Sequence, residues 1–142
     1  MPRISILNFI LGFLTIILAA SFGSFLANSI TKQVLEDSLN DLSWQFVLLK
    51  SAHSHSNLFG FLQILFGLTL PYSKLSIRLK VLQTWGIFSG VISMSLILCA
   101  KSFFHPVSVF SDFFYFTSVI LLSLFIFSLC LHCYGLLLKL IK

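Results

Sequence analysis

Residues 46–70 read FVLLKSAHSHSNLFGFLQILFGLTL. The stretch is long enough to cross a bilayer, whose hydrocarbon core of about 30 Å takes about 20 mostly apolar residues. Its upper part breaks that pattern. From Lys50 to Asn57 the side chains are Lys50, Ser51, His53, Ser54, His55, Ser56 and Asn57, with Ala52 the one apolar residue among them. Ionisable groups at membrane depth are costly, and they usually face a partner or a cavity. The stretch therefore makes two statements at once. It belongs in a membrane, and it holds something polar there.

The rest of the chain supports the first statement. The 142 residues are 58% apolar and 9% charged, against about 45–50% and about 25% in a soluble domain. A water-soluble globule is excluded by the low charge, and disorder by the 15% aromatic content. The formal net charge is +5, but the basic residues are spread along the chain, which excludes a nucleic-acid patch. Four apolar stretches qualify as spans, at about residues 4–27, 46–70, 81–100 and 113–138. Backbone polar groups cannot be left open in lipid, so each should be a helix. The expected fold is all-α, an integral membrane four-helix up-down bundle forming a single domain over residues 1–142. The lipid bilayer is its first partner.

The connections carry most of the charge. Residues 28–44 hold Lys32, Glu36, Asp37 and Asp41, and the pattern Val34, Leu35, Leu39, Leu42 predicts a short interfacial helix there. Pro71 should end the second span, before a basic turn with Lys74, Arg78 and Lys80. The last connection, with Phe103, Phe104, His105, Pro106 and Phe110, is aromatic enough to dip into the headgroup layer. Arg3, Lys74, Arg78, Lys80, Lys139 and Lys142 fall on one side, and Lys32, Lys50 and Lys101 on the other. Basic residues mark the cytoplasmic side, so both termini are expected in the cytoplasm. The first stretch also has features of a secretory signal, in Arg3 and in the small residues Ala19, Ala20 and Ser21. It is longer than the 7–15 apolar residues usual for a signal core and is read as a retained span.

Helices in lipid associate through small residues. Gly12, Ala19, Gly23 and Ala27 form one stripe on the first span. Ser56, Gly60 and Gly67 belong to the second, and Gly86 and Gly90 form a G-x-x-x-G pair on the third. Packing within the bundle accounts for all of them, and a homodimer seam at Gly86 and Gly90 is the alternative. Trp44, Tyr72 and Trp85 are expected at membrane interfaces.

Successive helical residues turn by about 100°, which sorts the polar run. Lys50, His53, Ser54, Asn57 and Phe61 form one stripe, of which His53 is expected to face the bundle interior, and His55 points about 200° away from His53. One regular helix cannot wrap both imidazoles around one metal ion. His53, nearer the glycine stripe, is the first choice as ligand for a haem or transition metal. His55 is auxiliary, and Asn57 and the serines are acceptors for the second ring nitrogen. A hydrogen-bonded helix seam and a proton relay are the other readings of the same residues.

Three further groups were weighed. His105 could supply a second axial ligand or be a solvated loop histidine. His132, near the opposite surface, is expected to bond to Ser128 one turn earlier. Cys130 and Cys133 form C-x-x-C, but within lipid they read as small apolar residues, and Cys99 is single. No phosphate loop, nucleophile elbow or intramembrane carboxylate supports hydrolysis or phosphoryl transfer.

The residues Ala52 to Phe61, read as H-x-H-x-N-L-F-G-F from His53, resemble a pattern in small four-span bacterial membrane proteins. That poorly characterised family is similar to the haem-copper oxidase catalytic subunit, cytochrome oxidase subunit I. The polar loop before the motif and Phe66-Gly67-Leu68 after it also fit. The resemblance covers spans one and two and the four-span plan. It implies b-type haem or metal binding at His53, His55 and Asn57, with a role in electron transfer or in support of an oxidase-like respiratory complex. A non-catalytic structural or accessory membrane subunit, partnered by another membrane subunit or a second copy, is the alternative. A proton or small-solute transporter is a third.

Overall fold

The computed structural model describes residues 2–35, 44–104 and 112–141. Among the described residues the structure is helical with no strand, and four long helices account for nearly all of it. These are α1 (Arg3–Leu35), α2 (Trp44–Thr69), α3 (Ile77–Lys101) and α4 (Phe113–Ile141). The polar connection expected from residue 28 begins later than its composition suggests, because α1 runs unbroken to Leu35. The rest of the interfacial helix and the dipping loop with His105 fall on 36–43 and 105–111, outside the described residues.

Three of the helices are long and apolar enough to cross a membrane: Arg3–Lys32, Ile77–Lys101 and Phe113–Ile141. α2 is as long as α3 but is not among them. Its polar run lowers the hydropathy of every window that contains it.

Successive helices run antiparallel, and glycine sets the distance between the first two. At Gly12 a Cβ would lie 2.8 Å from the Gly60 carbonyl oxygen, and at Gly60 one would lie 3.1 Å from that of Gly12. A backbone carbonyl cannot move aside as a side-chain tip can, so both positions need the missing side chain. Further along the same seam Gly23 lies against the ring of His53, and Gly67 against Asn8. The small-residue stripe expected on α1 therefore faces α2.

α3 and α4 pair in the same manner. A methyl on Gly86 would coincide with the Ser128 hydroxyl. Ser89 and Ser93 on α3 donate to the carbonyls of Leu121 (2.8 Å) and Ser118 (2.9 Å) on α4. Gly86 and Gly90 are thus occupied by contacts within the chain, Gly90 lying against Phe59 and Phe125. Beyond Val91 α3 loosens into a π turn, Ile92–Ile97, which includes Ser93.

α2 and α3 form the middle of the molecule. Phe59, Phe66 and Leu70 of the α2 segment meet Ile87 and Val91 of α3 and Phe125 of α4 in one core. α4 is peripheral: 11% of its most apolar window is buried, against 44% for α3. Pro71 ends α2 as expected, in a short 3-10 turn, Leu70–Tyr72, after which Lys74 N–H donates to the Gly135 carbonyl (3.1 Å).

The two ends carry the charges in the predicted groups. At one end the Lys139 ammonium sits 4.7 Å above the Tyr72 ring, close to the basic turn. At the other Lys101 pairs with Asp112 and lies 5.5 Å from the Trp44 ring. Asp112 also caps α4, its Oδ1 accepting from the N–H groups of Phe114 (2.9 Å) and Tyr115 (3.2 Å). The hydrogen bond from Lys101 and these amides hold its carboxyl below the usual carboxylate value, against the opposing effect of burial.

Candidate functional site

The polar run occupies the third and fourth turns of α2, and its side chains divide between two directions. His53 and Asn57 turn toward α1. The His53 Nδ1 lies 2.9 Å from the Ala19 carbonyl. A carbonyl only accepts, so Nδ1 carries the proton and donates. The Asn57 amide nitrogen lies 3.5 Å from His53 Nε2 and 3.2 Å from the His53 carbonyl, so Asn57 covers the other ring nitrogen from one turn below. Phe22 of α1 stands beside the same ring, with centroids 6.5 Å apart.

His55 takes the other direction, as its spacing predicts. Its Nδ1 donates to the Ser51 carbonyl one turn back (2.8 Å) and lies 3.3 Å from the Ser51 hydroxyl. Its ring stacks loosely on Phe59 at 6.3 Å. Lys50, Ser54 and Phe61 do not share the inward direction of His53. All three are exposed, Phe61 at 58%. The stripe is therefore split, with His53 facing α1 as expected and Asn57 beside it, and the others on the free surface. A stripe spans a range of angles, and the seam with α1 is narrow enough to take only its edge.

This arrangement bears on metal and haem binding. A ligating imidazole needs a free lone pair. In His53 one nitrogen donates to a carbonyl and the other is covered by an amide. His55 faces away. Among the described residues no three His, Cys, Asp or Glu side chains lie where one ion would reach them. With Nδ1 donating to a carbonyl, the remaining lone pair of His53 is on Nε2, and the Asn57 amide stands 3.5 Å from it. His105, weighed as a second ligand, lies outside the described residues.

Comparison with protein families, with curated proteins and with solved structures finds no match to this chain. The likeness to the oxidase subunit rests on residues 52–61 and 66–68, the polar loop before them and the four-span plan.

His132 sits 16 residues from His53 when measured along α2, through its partner Thr69. That is about 24 Å. Its Nε2 lies 2.9 Å from the Thr69 hydroxyl, and its ring packs on Phe66 at 4.4 Å. The partner is thus Thr69 on a neighbouring helix and not Ser128 on its own, because Ser128 is used against Gly86. Cys130 and Cys133 are free and exposed, on the far side of α4 from the buried His132.

The structure adds a polar layer that reading the sequence missed. Asn8 of α1 donates to the Thr84 hydroxyl of α3 (2.9 Å) and accepts from the Gln63 amide of α2 (2.6 Å). All three are fully enclosed. Gln83, next to Thr84, is enclosed as well, and neither end of its amide has a partner among the described residues.

Helical repetition places Gln83. Gly90, Phe59 and Phe125 meet in one layer, where the two rings are 4.8 Å apart. Seven residues are two turns, or about 10 Å, and return to the same face. Moving by seven along each helix, toward the Lys139 end, gives Gln83, Phe66 and His132. Of these, Phe66 and His132 are in contact. Gln83 and the unpartnered Nδ1 of His132 therefore share a layer. Each such atom costs about 1–3 kcal/mol when buried without a hydrogen bond. The available signal was weak: one Asn or Gln in an apolar stretch, Asn8, Gln63 and Gln83, repeated in three spans.

Proposed function

We propose that this chain is an integral membrane protein of four spans and a non-catalytic structural or accessory subunit. In this reading both termini face the cytoplasm of a bacterial cell, and the polar residues of α2 serve helix pairing and surface recognition. The observation that carries it is the hydrogen bond from His53 Nδ1 to the Ala19 carbonyl, with Asn57 over the second nitrogen. Through Nδ1 the imidazole joins α2 to α1, and its Nε2 faces the Asn57 amide on its own helix.

α2 crosses in spite of its polar run because most of that run is neutralised on the spot. Ser56 donates to the Ala52 carbonyl (2.7 Å), Asn57 to that of His53, and His55 to that of Ser51. A polar group satisfied by its own helix costs far less in hydrocarbon than an open one.

The test is purification with an absorption spectrum and metal analysis. The expected protein resists alkaline extraction from membranes, carries no Soret band and holds no stoichiometric metal. His53→Ala should loosen α1 from α2 without changing the spectrum. A Soret band or a bound metal that disappears in His53→Ala would replace this reading with the haem- or metal-linked respiratory role. Histidine-dependent flux in proteoliposomes would replace it with the transporter.

A further inference from the structure

We propose that the exposed face of α2 binds the headgroup of an anionic lipid, with Lys50 as the cation that recognises it. The inference rests on the membrane reading above.

A recess of about 420 Å³ opens on α2, lined by Phe46, Val47, Lys50, Ser51, Ser54 and His55. Among the described residues no carboxylate lines it. Lys50 and Ser54 are exposed and point away from α1. Ser51 adds a second hydroxyl. His55 donates inward through Nδ1 and so keeps Nε2 as a further hydrogen-bonding atom on the recess side.

Position distinguishes Lys50 from the other cations. At the same end, Lys101 is matched by Asp112 and by the Trp44 ring. Lys50 lies six residues past Trp44, about 9 Å deeper. Among the described residues it has neither an anion nor a ring opposite it. An ammonium facing hydrocarbon requires a counter-charge. Its long stem can carry the charge back toward the headgroup layer. An anionic headgroup at that level supplies the counter-charge and an acceptor for the two serine hydroxyls.

The surface below the recess selects the source of the anion. Leu58, Phe61, Leu65 and Leu68 continue on the same 80° sector as Val47, Lys50 and Ser54, at two turns per seven residues. Each of the four is about half exposed (53%, 58%, 54% and 49%). A polar cradle above an uninterrupted apolar strip matches a phosphate-bearing head with acyl chains beneath it. Free inorganic phosphate shares the head chemistry but has nothing to lay on the strip.

The experiment uses the full chain reconstituted into vesicles of phosphatidylcholine, alone or doped with phosphatidylglycerol, with retained lipid read by native mass spectrometry. The expected result is preferential retention of phosphatidylglycerol. Lys50→Gln should reduce it about five-fold, the effect of one basic residue at a membrane surface. Lys50→Arg should keep it, and Lys74→Gln in the basic turn should leave it unchanged. Equal retention of both lipids, or an unaltered preference in Lys50→Gln, overturns the proposal. So does displacement of the lipid by inorganic phosphate, which would mark a site for the free anion. A chain that never enters the vesicles removes the membrane reading itself. A chain that enters without preference removes this inference alone.

Discussion

The run from Lys50 to Asn57 packs seven polar side chains into about two turns of one helix. The layer at the other end draws Asn8, Gln63, Thr84 and His132 from four different helices. In the first region most partners are one turn away on the same helix, as in Ser56 to Ala52 and His55 to Ser51. Such bonds form whenever the helix forms and say little about its neighbours. In the second region the partners belong to other helices, and the bonds exist only when those helices meet in the right register. A dense cluster attracts attention in a sequence, yet the dispersed polar residues do more to specify the tertiary arrangement.

Several substitutions would break or sharpen this contrast, each read as thermal or denaturant stability in detergent micelles. The largest effect is expected where the two regions share a seam. Gly12→Leu drives a side chain into the Gly60 carbonyl and Ile64, and should cost about 3 kcal/mol, the upper range for overpacking. A loss below 1 kcal/mol would mean that α1 is not seated on α2 as described.

Gln63→Leu comes next. It leaves Asn8 Oδ1 without its donor and should cost about 1.5 kcal/mol, near the top of the range for interhelical bonds in membranes. His53→Ala should cost less, about 1 kcal/mol, because the Ala19 carbonyl still accepts from its own helix. Should His53→Ala prove the more damaging of the two, the dense run and not the dispersed layer would be the specifying element.

Gln83→Leu removes a buried amide with no partner and puts a side chain of similar size in its place. It should stabilise the protein by about 0.5–1 kcal/mol. A loss would show that the amide is satisfied by something bound in the layer.

The smallest effect concerns the Lys101 end. Asp112 has its carboxyl held below the ordinary value, so its contribution is present above pH about 4 and is lost as the pH falls through the lower folded value. Asp112→Ala should flatten the acid limb of a stability–pH curve, and an identical limb in the variant would exclude this cap as its source.

Much of the fold was legible because it follows from local chemistry. Hydropathy located the four helices to within a few residues, apart from the eight-residue extension of α1 beyond Ala27. Pro71 marked the end of α2, and the glycines marked the seams. The candidate site was legible in part. Helical spacing separated His53 from His55, and the structure keeps them apart. The same spacing could not tell which edge of the Lys50–Phe61 stripe meets α1; the structure seats His53 there and leaves Lys50 and Ser54 exposed.

By itself the sequence determined which residues share a face of each helix, since the helical period belongs to the chain alone. Only the tertiary structure decided which face meets which neighbour. That choice depends on how close two backbones can come, and at Gly12 and Gly60 the answer is contact. It is also what leaves Lys50 on the exposed surface and brings Gln83 level with His132.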